Sequence, residues 1–178
     1  RRSSDLFALL AVFEGINGLN RVEILNVKME DFAGDTLTLC TGRTVKVSPE
    51  LINIAHESDE TYVYEALSGR QIKFSNNLDG VMKSFYMAKE DTTEFLRGRR
   101  LYYRLERCLK SIDLEDLSIN SISDSGKIHM IRTLAEENDI SPTEVLMNKE
   151  LLEKINIQYA CNIYPKSFIK KYKDYFEI

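Results

Sequence analysis

Residues 97–110, "RGRRLYYRLERCLK", set six basic residues and two tyrosines beside a single acid, Glu106. The chain as a whole is acidic, with a formal net charge of −4, so this concentration of cations calls for a reason. On a helix with about 100° between residues, Arg97, Arg100, Arg104 and Arg107 fall on one narrow face. Tyr103 and Lys110 flank that row, and Leu101, Leu105, Cys108, Leu109 and Ile112 form the neighbouring apolar face. Guanidinium groups grip phosphate through paired hydrogen bonds and stack on bases, and a tyrosine ring beside them offers a stacking platform. The spacing therefore predicts a phosphate-binding face suited to DNA or RNA. A second use competes with it, because the chain carries 28 acidic residues and an arginine row can simply pair with some of them.

A weaker echo lies in "PKSFIKKYKDYF", where Lys166, Lys170 and Lys173 recur on one helical face and Phe168, Ile169, Tyr172 and Phe176 on another. These lysines would add positive field to the same interface, or form a solvated face. Other chemistry is sparse. Glu65 with Gln71, Ile72 and Lys73 is distantly like the acid and Gln/Glu-x-Lys arrangement of metal-dependent nucleases, although alternating strand residues produce such triplets by chance. There is no Gly-rich phosphate loop, no GxSxG and no HExxH. The sequence therefore points to no catalytic residue and no cofactor. Cys40, Cys108 and Cys161 are far apart, lack CxxC spacing and have only His56 and His129 to join them, which predicts reduced thiols, a cytoplasmic setting and no structural metal.

The elements that position these residues can be read from periodicity. Ser3, Ser4 and Asp5 can cap a first helix over residues 3–17, with Leu6, Leu9, Leu10 and Phe13 at helical spacing and Gly15 and Gly18 as its stop. A period of two follows, predicting strands near 21–28, 35–40 and 43–48. A hairpin near 61–67 and 70–75 completes a small antiparallel sheet. Helical spacing returns in a short segment at 79–88 and in a bridging helix at 91–112, capped by Asp91, Thr92 or Thr93. Residues 113–126, rich in Ser and Asp, read as a linker. Beyond it come helices near 127–138 and 142–155, the second opening on Ser141, Pro142 and Glu144, and a last helix from Pro165. This is an α+β protein with an α+β domain at 1–112 and a helical module at 127–178. With 178 residues, 43% of them hydrophobic, it can bury an ordinary core, and no apolar run reaches the roughly 18 residues of a membrane span. The chain opens on Arg1 and not on methionine, which predicts either a fragment of something longer or a trimmed chain.

The C-terminal third, with Ala135, Pro142, Val145, Leu151, Ile155 and Tyr172 in compatible places, resembles the helical HRDC module of RecQ-type helicases and RNase D. That resemblance implies a nucleic-acid-binding or protein-docking accessory module. "RRLYYR" with "SISDSG" is also similar to the RRxxxR and (D/N)xSxxG motifs of PilZ cyclic-dinucleotide receptors, with Ser121 where that family has an acid. This likeness would make Arg99, Arg100 and Arg104 ligand contacts, with Ser123 and Gly126 beside them. Together these readings predict a non-catalytic, nucleic-acid-associated regulatory or accessory protein. A protein-interaction adaptor with a protein partner, a cyclic-dinucleotide sensor and a metal-dependent nuclease are the alternatives.

Overall fold

The computed structural model describes residues 3–65, 70–74, 80–83, 93–114 and 116–176. The fold is α+β, with eight α-helices and two small antiparallel sheets among those residues. Helix α1 (Ser3–Phe13) is the central strut. It buries Phe7, Ala8, Ala11 and Val12, a face rotated from the Leu6, Leu9, Leu10 and Phe13 stripe read from the sequence; Leu6 is exposed and Leu9 and Leu10 are half-buried. The small residues Ala8 and Ala11 let other helices approach closely, so α1 is packed on several sides and its polarity pattern is a poor guide to its orientation.

The strand expected near 21–28 does not form: a 3-10 turn (Leu19–Arg21) runs instead into the short helix α2 (Val22–Leu25). Ile24 and Val27, three residues apart, are the buried apolar side chains, which is helical rather than extended spacing. Strands β1 (Phe32–Ala33), β2 (Thr36–Thr38) and β3 (Thr44–Lys46) follow as one sheet in sequential order, with Leu37 opposite Val45 and both facing the core. Helix α3 (Pro49–Glu60) was not foreseen, although Ser48 caps it through Leu51 N–H at 3.1 Å and Pro49 occupies its first turn. Strands β4 (Val63–Glu65) and β5 (Gln71–Lys73) pair as a separate two-stranded sheet and do not extend the first one. Most of the helix expected at 79–88 lies outside the described residues.

Helix α4 (Glu94–Lys110) is capped by Thr93 and buries Gly98, Leu101, Leu105 and Leu109 at spacings of three and four. Helix α5 (Ile119–Asn138) begins inside the segment read as a linker, because Ser118 caps it by accepting from Ser121 N–H at 3.0 Å; the serines that suggested a linker are its cap and first turns. The helix expected at 142–155 is two helices, α6 (Pro142–Met147) and α7 (Lys149–Tyr159). Asn148 separates them, ending one and capping the next through Glu150 and Leu151 N–H. Helix α8 (Pro165–Lys171) closes the chain with a 3-10 turn at Lys173–Tyr175. Two apolar cores result, and α5 serves both: Ile119 and Ile122 enter the first with α1, α3 and α4, while Ile128, Ile131 and Leu134 enter the second with α6 and α7.

Candidate active site

The arginine row on α4 divides into two kinds of residue. Arg104 is consumed by the fold: its Nε pairs with the Asp5 carboxylate, while Nη1 and Nη2 donate to the Lys83 carbonyl at 2.5 Å and the Ser4 hydroxyl at 2.6 Å. It bolts α4 to α1 and faces inward, so the sequence reading of it as a phosphate ligand does not match its position. Arg100 and Arg107 are exposed, and Arg97 is half-buried. Arg99, which the spacing argument left off the row, is exposed as well and donates to the Tyr103 hydroxyl at 3.1 Å. Among the described residues, none of Arg97, Arg99, Arg100 and Arg107 forms an ion pair. Tyr103 is 47% exposed beside them, and Lys110 is exposed at the helix end. Lys166, Lys170 and Lys173 are exposed on α8 and the turn after it, an element that packs against α6.

The convergence that sequence reasoning missed lies at the end of α1. Between Phe13 and Glu23 the chain takes a positive φ at Gly15, Gly18, Asn20 and Arg21. For Asn20 and Arg21 the left-handed conformation is unfavourable by about 1–2 kcal/mol each, so the surroundings must impose it. They do so by close approach. A Cβ at Gly98 of α4 would lie 1.9 Å from the Asn20 carbonyl oxygen, and one at Gly15 would lie 2.4 Å from that of Gln158 on α7. A Cβ at Gly126 of α5 would stand 1.7 Å from the Phe13 carbonyl oxygen and 2.7 Å from the Tyr159 hydroxyl. Three helices thus press on one short segment at glycines.

Glu23 and Arg43 brace this segment from beneath. Glu23, only 2% exposed, accepts from Arg43, from the Thr41 hydroxyl at 2.7 Å and from Asn17 N–H at 3.0 Å. Burial opposes its ionisation, but these donors outweigh burial and hold its carboxyl below the usual range. Arg43 also donates to the Ile157, Gln158 and Gly15 carbonyls at 2.7, 2.9 and 3.0 Å, capping the C-terminal end of α7 with positive charge. Gln158 joins its side chain to Lys46 of β3 in both directions and to the Glu14 carbonyl.

Around this braced segment stand the groups able to do chemistry. The Arg21 guanidinium lies over the Tyr102 ring at 4.7 Å; burial lowers its affinity for a proton, with Tyr102 and Glu106 working against that. Its Nε is buried without a hydrogen-bond partner, as is Asn17 Oδ1 four residues earlier. Buried polar groups left unpaired are uncommon in folded proteins. Tyr159 donates to the Phe13 carbonyl at 2.7 Å, and burial pushes its phenol well above the usual range. The Lys127 ammonium sits 5.8 Å from the Tyr159 ring centre and 2.9 Å from Asp124 Oδ1. Asp124 also accepts from Lys171 at 3.0 Å and from the Tyr172 hydroxyl. Burial opposes its ionisation, yet the bonds from Lys127, Tyr172 and Lys171 prevail and depress it. Arg21 with Tyr102 therefore stands at one end of the segment, and a separate cluster of Tyr159 with the Lys127–Asp124 pair meets its other end at Phe13. None of it carries a sequence motif. The nearest signal is "GINGLNR", where two glycines and two asparagines precede an arginine.

Among the described residues no group of three or more His, Cys, Asp or Glu is placed to hold a metal ion. Gln71 and Lys73 of the nuclease-like triplet are exposed on the two-stranded sheet, and the Glu65 side chain lies outside what is described. The PilZ-like pattern fails on structure: Arg104 is internally paired, Ser123 and Gly126 are inside α5, and helices follow where a β-barrel is required.

No curated protein matches this sequence. A family model does, over residues 3–176, and it is described as "MrpR, C-terminal catalytic domain". This match replaces the HRDC resemblance of the C-terminal third with a different family that spans nearly the whole chain. It also overturns the reading of a non-catalytic, regulatory nucleic-acid accessory protein, with its adaptor and sensor alternatives, since the family is described as catalytic. The chain belongs to the MrpR C-terminal catalytic domain family.

Proposed function

We propose that this chain is the catalytic part of an enzyme whose substrate is nucleic acid, acting at the phosphodiester backbone. The polymer is then the reactant and not merely a docking partner. The observation that carries this reading is that Arg97, Arg99, Arg100 and Arg107 make no ion pair among the described residues of a protein with 28 acidic residues, whereas Arg104 on the same helix does. Four unneutralised guanidiniums on one helix repel one another, and a polyanion relieves that repulsion. Arg21 supports the same reading, because it approaches α4 through Tyr102 and keeps an unused buried donor. There it would neutralise the phosphate at which bonds change.

The test is a nicking assay on supercoiled plasmid at low salt, with and without divalent cations, comparing the parent with Arg21→Ala and Arg100→Glu/Arg107→Glu. We expect backbone cleavage by the parent, loss of cleavage with retained binding in Arg21→Ala, and loss of binding in the α4 variant. Absence of both binding and cleavage in the parent would refute the proposal.

A further inference from the structure

Four side chains follow one another from the strained turn onto the outer face of α4. The Arg21 guanidinium lies 4.7 Å from the Tyr102 ring centre, the Tyr102 and Tyr103 rings meet edge-on at 5.7 Å, and the Arg99 guanidinium lies 5.5 Å from the Tyr103 centre. Arg99 also donates from Nη2 to the Tyr103 hydroxyl at 3.1 Å, so the ring leans back over the preceding turn, as helical side chains do. Tyr103 is thus held by two neighbours and is still 47% exposed, which presents the ring to solvent in a set orientation. Arg99, Arg100 and Arg107 surround it at spacings of three and four, and Arg107 folds back so that its Nε donates to the Tyr103 carbonyl at 3.3 Å. None of these three arginines has an ion pair among the described residues. Glu106 is the one acid at that spacing from Tyr103; it takes the Tyr102 hydroxyl and, with Asp116, stands at the Lys110 end of the helix.

Resting on the nucleic-acid reading above, we propose that Tyr103 is a stacking platform for an unpaired base, with Arg99, Arg100 and Arg107 holding the phosphates on either side, so that α4 engages its substrate as a single strand. A single strand offers both partners at once: its phosphates answer the guanidiniums and its bases have open π-faces. In a duplex each base face is covered by its neighbours, and α4 would meet the backbone alone. An acidic protein segment would match the arginines but leave the ring without a partner. The ring is ordered before the base arrives, so little side-chain entropy is lost on binding, and Arg99 against the ring adds a cation–π layer to the stack. The series ends on Arg21, which joins the platform to the turn where the reaction is placed above.

The test is fluorescence anisotropy at one low salt concentration with end-labelled oligo(dT), oligo(U), an abasic DNA strand and a DNA duplex, all carrying the same number of phosphates. The parent should bind oligo(dT) or oligo(U) about tenfold or more tighter than the abasic strand and the duplex, the comparison of the first two separating DNA from RNA. Tyr103→Ala, checked for an unchanged melting temperature, should fall to the abasic level on every strand, whereas Tyr103→Phe, which keeps the ring, should stay within about threefold of the parent. Three results would each overturn the platform and leave the nucleic-acid reading standing: parent binding to the abasic strand as tight as to the strands with bases, binding to the duplex as tight or tighter, or a loss in Tyr103→Phe equal to that in Tyr103→Ala. No binding of any strand by the parent would overturn both.

Discussion

Arg43 holds Glu23 in a two-point grip, Nε to Oε1 at 2.9 Å and Nη2 to Oε2 at 2.7 Å, at a place where Glu23 is only 2% exposed. Because Arg43 also caps α7 and touches Gly15, this one pair joins the β2–β3 turn, the segment before α2 and the C-terminal helices. Removing one partner of a buried pair leaves the other charge unmatched, at a cost of about 3–5 kcal/mol. Arg43→Met should therefore destabilise by at least that much, and more than Glu23→Gln, since it also removes a donor from each of three carbonyls. Urea denaturation of the singles and the double variant measures the coupling; independent additive losses would show that the pair does not act as a unit.

The same pair sets an acid dependence. The folded carboxyl of Glu23 is depressed, so its stabilising contribution is complete above the ordinary glutamate value of about 4.3 and is lost as pH falls through that value toward the folded one. Asp124 contributes in the same sense. Glu14 runs the other way: burial raises its carboxyl, despite bonds from Ser48, so its ionised form costs stability that acidification relieves. Stability measured from pH 7 to pH 3 should fall, and Glu23→Gln should fall less steeply than the parent. A parallel pair of curves would contradict this assignment.

Gly98 and Gly126 are helix-interior glycines, where alanine ordinarily gains about 1 kcal/mol. Here a Cβ would lie 1.9 Å and 1.7 Å from carbonyl oxygens of another segment, and main chain yields far less readily than a side-chain tip. Overpacking of about 1–3 kcal/mol or more outweighs the propensity gain, so Gly98→Ala and Gly126→Ala should both lower the melting temperature. Gly98→Ala should in addition disturb Asn20 and Arg21, and with them any reaction at that turn. A neutral or stabilising effect on melting would show that α4 and α5 are not seated as described.

Arg104 and Arg100 are one helical turn apart and should respond oppositely. Arg104→Glu sets two acids together at Asp5 and should destabilise the fold by about 3 kcal/mol or more. Arg100→Glu/Arg107→Glu should leave the melting temperature within a few degrees of the parent. The same change should reduce the salt dependence of nucleic-acid binding by about one unit of slope for each phosphate no longer neutralised. Thermal melts alongside binding titrations at several salt concentrations separate the two residues. An unchanged salt slope would remove Arg100 and Arg107 from the interface.

How much of this was legible without coordinates depended on how far apart the partners lie along the chain. Ser141, Pro142 and Glu144 announce the start of α6, and the structure forms that capping box, because a cap is made within three residues. The leucines of α4 announce its buried face for the same reason. The fold class, the hairpin at β2 and β3 and the starts of α6 and α8 were readable in this way. Asn148 as a divider, Ser118 as a cap and α3 behind Ser48 carried equally local signals that composition and alternation obscured.

The site was not legible, and the reason is physical. Asn20 and Arg21 adopt left-handed conformations only because Gly98, far along the chain, admits their backbone, so "GINGLNR" read on its own suggests a helix stop and then a strand. Arg104 and Arg100 are the same residue type on the same helix, and only the position of Asp5 on α1 decides which is structural and which faces solvent. Arg43, Glu23, Lys127 and Tyr159 become neighbours of one segment through packing that no periodicity encodes. By itself the sequence determined the local elements and the excess of cations on α4. Tertiary packing alone decided which cations remain unpaired and what they surround, because burial and pairing are properties of the assembled core.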